Sequence, residues 1–122
     1  MSTNESKSYG AWGEKVALEY LTGNGYVFVA QGFRSRFGEI DLIVTDEMFI
    51  VFVEVKTRKS NVFAYACESV NKHKQKRIIA TANSWLSYNR TEKQPRFDVI
   101  EVYANEGVNT ICPGINHIAN AF

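Results

Sequence analysis

The sequence predicts an α/β domain in which a helix precedes three strands, a second helix follows them, and a further strand completes the order α-β-β-β-α-β. Three observations predict this class. Residues 9–22 place Ala17, Leu18 and Leu21 on one apolar stripe at helical spacing, and Gly23 ends it. Residues 26–57 contain three runs rich in β-branched and aromatic residues. The third run, at residues 49–53, is apolar on both faces, which is typical of a strand covered on both sides.

The predicted elements form a single domain over residues 9–122, preceded by a polar N-terminal tail at residues 1–8. We expect a mixed sheet with an antiparallel meander at its centre, flanked by the helices. The predicted elements are a helix at 9–22, strands at 26–33, 38–45 and 48–57, a loop at 58–70, a helix from the N-cap Asn71 to Tyr88, a strand at 96–103, and a last short strand at 108–112. The tail to Phe122 is expected to dock as a turn or a short helix.

Composition excludes several classes of protein. No apolar run approaches the roughly 20 residues of a membrane span, and the polar N-terminus has no signal-peptide stretch, so we expect a cytoplasmic protein without a membrane partner. Neither His73 nor His117 has the neighbouring ligands of a zinc site. The net charge is only +1, yet seven of the 14 Lys and Arg residues fall between Lys56 and Arg77. Such a basic segment can attract a polyanion even on a nearly neutral protein.

Strand parity brings four charged residues to one face. Glu54 and Lys56 are two residues apart and share a face of the third strand, as Glu39 and Asp41 do on the second. If the hairpin closes at residues 46–47, paired residue numbers sum to 93 and Asp41 lies diagonal to Glu54. A sum of 95 places Asp41 directly opposite Glu54. Either register puts the two Cα atoms on the order of 5–8 Å apart.

Carboxylates at that separation repel one another unless a cation lies between them, and Mg²⁺ (or Mn²⁺) prefers such oxygen ligands. The alternative is a structural salt bridge of Asp41 and Glu54 with Lys56. Glu14 is expected to join the site, because it lies on the inward stripe of the first helix, where a carboxylate is unusual. The alternative for Glu14 is an ordinary solvated side chain.

Further basic residues are candidates for nucleic-acid binding. Lys74 lies four residues from Val70 and from Ile78, so it should lean inward at the start of the second helix, although a solvated basic turn is an equal alternative. The other candidates for contacts with the nucleic-acid backbone are Arg34, Arg36, Arg58, Lys59 and Lys72.

These motifs together resemble those of the YraN family of small predicted endonucleases, within the PD-(D/E)XK nuclease superfamily. That family is distantly similar to archaeal Holliday-junction resolvases. The matching segments are GAWGE at 10–14, GEIDLI at 38–43, VEVKTR at 53–58, KQ at 74–75, RFDV at 96–99 and NAF at 120–122. The resemblance implies a restriction-endonuclease-like core, with Glu14, Asp41, Glu54 and Lys56 as its active site. It also implies that Lys74 and Gln75 form a further motif on the following helix, and both are expected to contact nucleic acid. The chain departs from the superfamily name in having Ile40, not Pro, before Asp41.

The expected function is metal-dependent hydrolysis of phosphodiester bonds in nucleic acid, with DNA, including branched DNA, as the expected substrate. Asp41, Glu54 and Glu14 are the expected metal ligands, with Glu14 on a second ion or its water. Lys56 is expected to orient the attacking water or to stabilise charge in the transition state, and Glu39 to act as an outer-shell group. One alternative is a nucleic-acid-binding module of the same fold without catalytic turnover, and another is a protein-interaction domain. A homodimer that cuts two strands is also left open.

Overall fold

The computed structural model describes residues 3–59 and 70–122, and the side chains of residues 9–59 and 70–122. The elements are helix α1 (Thr3–Gly23), strands β1 (Val27–Ser35), β2 (Gly38–Thr45) and β3 (Phe49–Arg58), helix α2 (Lys72–Tyr88), strand β4 (Gln94–Tyr103), a short 3₁₀ helix (Gly107–Asn109) and strand β5 (Gly114–Ile118). The predicted α/β class and the order α-β-β-β-α-β are confirmed. Of the loop predicted at 58–70, Arg58 belongs to β3, and residues 60–69 lie outside the described part.

The strands form one mixed sheet in the order β1-β2-β3-β4-β5. β3 and β4 are parallel, whereas the other neighbouring strands are antiparallel. A parallel pair needs a crossover connection, and α2 lies within it. β3 is therefore the central strand, and its residues 50–53 are buried, as the doubly apolar run predicted.

The two helices cover opposite faces of the sheet, because alternate residues of β3 belong to two separate apolar clusters. Val51 and Val53 pack with residues of α1, whereas Phe52 packs with residues of α2. The α1 cluster is formed by Ala17, Leu21, Leu42, Val44, Val51, Val53, Ile100 and Val102. The α2 cluster is formed by Ile40, Ile43, Ile50, Phe52, Val70, Ile78, Ala82, Trp85 and Val99. Ile40 thus packs on the α2 side, although strict alternation predicted it on the same face as Leu42.

Helix α1 approaches β3 closely at Gly13. A Cβ atom there would collide with the Thr57 side chain, whereas Gly10 faces open space. The glycine therefore allows the helix to contact the strand, and the next residue, Glu14, lies beside the end of β3. The helix begins at Thr3, so residues 3–8, which were predicted to be a tail, belong to it. In the described part of the chain, no helix combines the length and the apolar character that a membrane crossing requires.

The last strand was predicted at the wrong place. Residues 107–109 form a 3₁₀ turn with Gly107 at φ 59°, and the strand lies at Gly114–Ile118 instead. The physical reason is pairing with β4, which sets Ile115 against Val102 and Ile118 against Val99. These long-range contacts determine the strand, and the polar segment before it has no such partners.

The C-terminal tail was predicted to dock as a turn or a short helix, but its residues 114–118 form β5 because they pair with β4. A turn at residues 119–120 then leads the end of the chain onto β4. The Ala121 N–H donates to the Phe97 carbonyl at 2.7 Å, and the Phe122 ring stacks on Phe97 with centroids 5.2 Å apart. The Asn120 N–H donates to Asp98 Oδ1 at 3.1 Å. The tail thereby closes one end of the α2 cluster.

Candidate active site

The hairpin of β2 and β3 brings Asp41 and Glu54 together. Leu42 pairs with Val53, so paired residue numbers sum to 95, and the next position places Asp41 opposite Glu54. The turn contains residues 46–48, and Asp46 Oδ1 accepts backbone hydrogen bonds of 2.8 and 2.7 Å within it. The longer turn explains why the second of the two predicted registers is the correct one.

Glu54 is a buried carboxylate shared by two lysines. Its side chain is 10% exposed, and Oε1 lies 2.8 Å from Lys74 Nζ and 3.4 Å from Lys56 Nζ. Burial lowers the pKa of Lys56, and the neighbouring Lys74 lowers it further against the effect of Glu54. Burial also acts to lower the pKa of Lys74. Effects in the other direction, of which the hydrogen bond to Glu54 is the largest, outweigh burial, so the pKa of Lys74 is raised. A buried charge is tolerated when it is paired in this way.

Asp41 is held in place by the backbone of β3. Its Oδ2 accepts a 2.8 Å hydrogen bond from the Val55 N–H. Burial, followed by the negative charge of Glu54, raises the pKa of Asp41 to about 7, although the Val55 hydrogen bond opposes the change. In the described part of the chain, no cationic nitrogen lies within 4.0 Å of this carboxylate. The hydrogen bond from Val55 thus fixes the orientation of the Asp41 carboxylate, and ionisation of this carboxylate is energetically unfavourable.

Glu14 and Glu39 complete the acidic cluster. Burial raises the pKa of Glu14, and the charges of Glu39 and Glu54 raise it further, so these carboxylates affect one another. Both also raise the pKa of Asp41. The inward position predicted for Glu14 is confirmed, since α1 places it half-buried near residues of β2 and β3. Glu39 is exposed and lies 3.5 Å from Arg34 Nε.

An open cleft of about 450 Å³ joins this cluster to the beginning of α2. Its lining combines carboxylates on the hairpin with basic and polar groups on the helix. The lining residues are Gly38, Glu39, Asp41, Glu54, Asn71, His73, Lys74, Arg77 and Ile78. Asn71 is the predicted N-cap, and its Oδ1 accepts the Lys74 N–H at 2.9 Å. The cap therefore fixes the helical turn that carries Lys74.

The candidate nucleic-acid contacts do not lie in equivalent places. Arg34, Arg36, Lys59 and Lys72 are exposed. Arg58 instead forms a 2.8 Å ion pair with the buried Glu101 of β4, so its guanidinium already has a structural partner. Gln75 donates its side-chain N–H to the Val70 carbonyl at 3.0 Å, which ties the first turn of α2 to the preceding segment.

Three residues at the cleft were not predicted. His73 lines it, and so does Arg77. Its spacing of three residues from Lys74 on one helix face is the signal that predicts its position. Phe37, at the tip of the β1–β2 hairpin, adjoins the cleft residue Gly38 and has no sequence signal beyond its turn position.

The donor chemistry of the cleft fits a divalent metal ion. Asp41 and Glu54 supply hard oxygen atoms, and burial, followed by the charge of Glu54, raises the pKa of Asp41, so a cation beside this carboxylate would favour its ionised form. As the side chains stand, the described residues contain no group of three Asp, Glu, His or Cys side chains that could hold a metal. The Lys74 Nζ atom lies 2.8 Å from Glu54 Oε1, so a metal ion bound by this carboxylate would compete with the ammonium group of Lys74.

Replacement of Asp41 by Asn should stabilise the metal-free protein at high pH. Because the folded-state pKa is raised to about 7, the stability that the proton on Asp41 contributes is complete below the unfolded pKa of about 3.9 and is lost as pH rises through 7. Asn keeps an acceptor for Val55 without the charge. We expect Asp41→Asn to exceed the wild type by about 1–3 kcal/mol at pH 8, and by much less at pH 5, in urea unfolding with a chelator. Glu47→Gln serves as the control, and equal stabilities of Asp41→Asn and wild type at pH 8 would contradict this electrostatic picture.

The fold and site define a class: an α/β protein with a carboxylate–lysine cleft between a β-hairpin and the first turn of a helix. A model for the "Uncharacterised protein family UPF0102" matches residues 13–102, and the chain therefore belongs to this family. UPF0102 is the YraN family that the motifs predicted, so the family is confirmed, whereas its place in the nuclease superfamily stays a prediction.

Relatives support the assignment along the whole chain. A UPF0102 protein of Caldanaerobacter subterraneus subsp. tengcongensis is 45% identical over 123 residues, covering 100% of both chains. One from Clostridioides difficile is 45% identical over 118 residues, or 96% of this chain and 98% of the relative. One from Caldicellulosiruptor bescii is 42% identical over 118 residues, or 95% of this chain and 98% of the relative. These names state no activity.

Proposed function

We propose that the protein is a metal-dependent nuclease that hydrolyses phosphodiester bonds in DNA. The observation that carries this proposal is the placement of Asp41 opposite Glu54, with Lys56 and Lys74 on the same carboxylate. A simple salt bridge would need one cation and one anion. Here burial and Glu54 raise the pKa of Asp41, and two further carboxylates, Glu14 and Glu39, add to this effect, so a bound cation would offset the repulsion among them.

The surroundings favour a phosphodiester as the substrate. A cleft with carboxylates at its centre and basic groups at its edge matches a metal ion on the reacting phosphate and cations on its neighbours. The exposed Arg36 and Lys72 and the cleft residue Arg77 provide such cations. Because the proposed substrate is DNA, the compartment that we propose is the cytoplasm.

In the proposed reaction, water forms a bond to phosphorus as the bond from phosphorus to the leaving oxygen breaks. When bound, Mg²⁺ or Mn²⁺ would polarise the phosphate and lower the pKa of the attacking water. Asp41 and Glu54 would hold the ion, with Glu14 near it. Lys56 would donate a hydrogen bond to the charge that develops on the phosphoryl oxygens. The Val55 N–H keeps Asp41 oriented for this task.

The alternative within the same fold is a module that binds nucleic acid without turnover. The pairing of Lys74 with Glu54 favours it, because a carboxylate satisfied by an ammonium group needs no metal. The two functions make different predictions for the same sample, since only a nuclease releases product when metal is added.

The test is incubation of the purified protein with Mg²⁺ or Mn²⁺ and end-labelled linear, flapped and four-way-junction DNAs. We expect products that appear with metal and disappear with chelator. Metal-independent products, or products retained by Glu54→Ala, would overturn the proposed site. Binding of DNA without any product under all metal conditions would favour the binding module.

A further inference from the structure

Two residues, Arg36 and Phe37, form the turn between β1 and β2, here termed the hairpin tip. The Phe37 ring is unusual for an exposed apolar group because a guanidinium covers part of it. Phe37 is 39% exposed, and Arg36 Cζ lies 4.9 Å from its ring centroid. Tyr88 and Ile111 are more exposed, at 83% and 93%, but Phe37 adjoins the lining residue Gly38 in sequence, whereas neither of these two residues adjoins a residue that lines the cleft.

The hairpin tip is held firmly on α2. Arg77 Nε donates to the Phe37 carbonyl at 3.1 Å, and the Phe37 N–H donates to Ser35 Oγ at 3.0 Å. Ser35 Oγ in turn donates to the buried Thr81 Oγ1 at 3.2 Å. An aromatic ring presented by an anchored turn loses little conformational freedom when it binds, which favours its use as a contact surface.

The position of the hairpin tip relates it to the carboxylates. Gly38, the next residue, lines the cleft with Asp41. Phe37 precedes Asp41 by four residues of β2, or about 13 Å of extended strand. That length corresponds to about four base steps of a DNA helix. A nucleotide on the hairpin tip would therefore belong to the same DNA segment as the phosphate at the carboxylates.

An aromatic ring beside an arginine is the chemistry that proteins use to stack on bases of single strands. In an intact duplex, neighbouring bases already cover each base face, so such a ring finds no partner. We propose that Phe37 stacks on an unpaired base, and that the substrate is DNA with a single-stranded segment at the hairpin tip. This inference rests on the proposed function and names the substrate class of the same cleft.

Binding without metal tests the inference apart from cleavage. Fluorescence anisotropy with chelator present compares a single-stranded oligonucleotide with its blunt duplex at one salt concentration. We expect Phe37→Ala to weaken single-strand binding by about 5- to 100-fold and duplex binding by less than about twofold. Phe37→Leu, which keeps apolar volume without an aromatic face, should resemble Ala, whereas Phe37→Trp should resemble the wild type. Ile111→Ala is the matched surface control.

A second readout identifies stacking directly. An oligonucleotide carrying 2-aminopurine at successive positions should show a position whose emission is quenched by wild type and restored with Phe37→Ala. Equal affinities of wild type and Phe37→Ala for the single strand, or an equal loss on both DNAs, would overturn the inference. If the wild type cleaves DNA with metal but Phe37→Ala gives either of these two overturning results, the inference fails and the proposed function still stands. If wild type neither binds nor cleaves any DNA, both fail.

Discussion

Replacement of Lys56 by Met should slow metal-dependent DNA cleavage by about 10²–10³-fold, the usual cost of removing one donor that stabilises transition-state charge. Lys56 Nζ lies 3.4 Å from Glu54, and burial lowers its pKa. An ammonium group in this setting is partly desolvated, so its interaction with a phosphoryl oxygen is strengthened. Met keeps the length of the side chain and removes only the donor.

Single-turnover rates at saturating metal and DNA measure this effect without the binding step. The matched control is Lys15→Met on the exposed face of α1, which should retain the wild-type rate. Equal rates for Lys56→Met and wild type would exclude Lys56 from the reaction. Equal losses in both variants would show that losing any positive charge slows the reaction, and would contradict a specific role for Lys56.

Replacement of Asp98 by Ala should lower the free energy of unfolding by about 3–5 kcal/mol, the range observed when one partner of a buried ion pair is removed. Asp98 is fully buried. Its Oδ2 lies 2.8 Å from Arg96 and 2.7 Å from His117 Nε2, and its Oδ1 accepts the Asn120 N–H. Although burial acts in the opposite direction, these hydrogen bonds lower the pKa of Asp98.

Because folding lowers the pKa of Asp98, the contribution of Asp98 to the free energy of unfolding depends on pH. The stability that Asp98 contributes is complete above its unfolded pKa of about 3.9 and is lost as pH falls through the lower folded value. Urea unfolding at pH 7 measures the full loss, and the gap between wild type and Asp98→Ala should narrow at pH 2–3. Glu19→Gln, at an exposed position of α1, is the control. A loss of under about 1 kcal/mol for Asp98→Ala at pH 7 would contradict this prediction, because it would be no larger than the contribution of a solvent-exposed ion pair.

Short-range periodicity predicted most of the cleft. Parity alone put Asp41 and Glu54 on one face, and helix phase added Glu14 and Lys74. These four positions depend only on local backbone geometry, which sequence spacing encodes. The sequence did not decide between the two registers, in which paired residue numbers sum to 93 or to 95. The register depends on the turn, where Asp46 accepts two backbone hydrogen bonds.

Long-range contacts could not be predicted in the same way. Asp98 is bound by His117, and the other ring nitrogen of His117 lies 3.0 Å from the Tyr20 hydroxyl of α1. No spacing rule links positions so far apart in the sequence. The same reason applies to Arg58, whose ion pair with Glu101 depends on the parallel pairing of β3 with β4.

Isothermal titration of the chelator-stripped protein with Mn²⁺ at pH 8 tests most directly whether Asp41 and Glu54 bind a divalent cation. At this pH Asp41 is largely ionised, since its pKa is about 7. We expect saturable binding by the wild type and its loss in Asp41→Asn, and we expect that variant to be at least as stable as the wild type. Absence of binding by the wild type, or unchanged binding by Asp41→Asn, would contradict the claim.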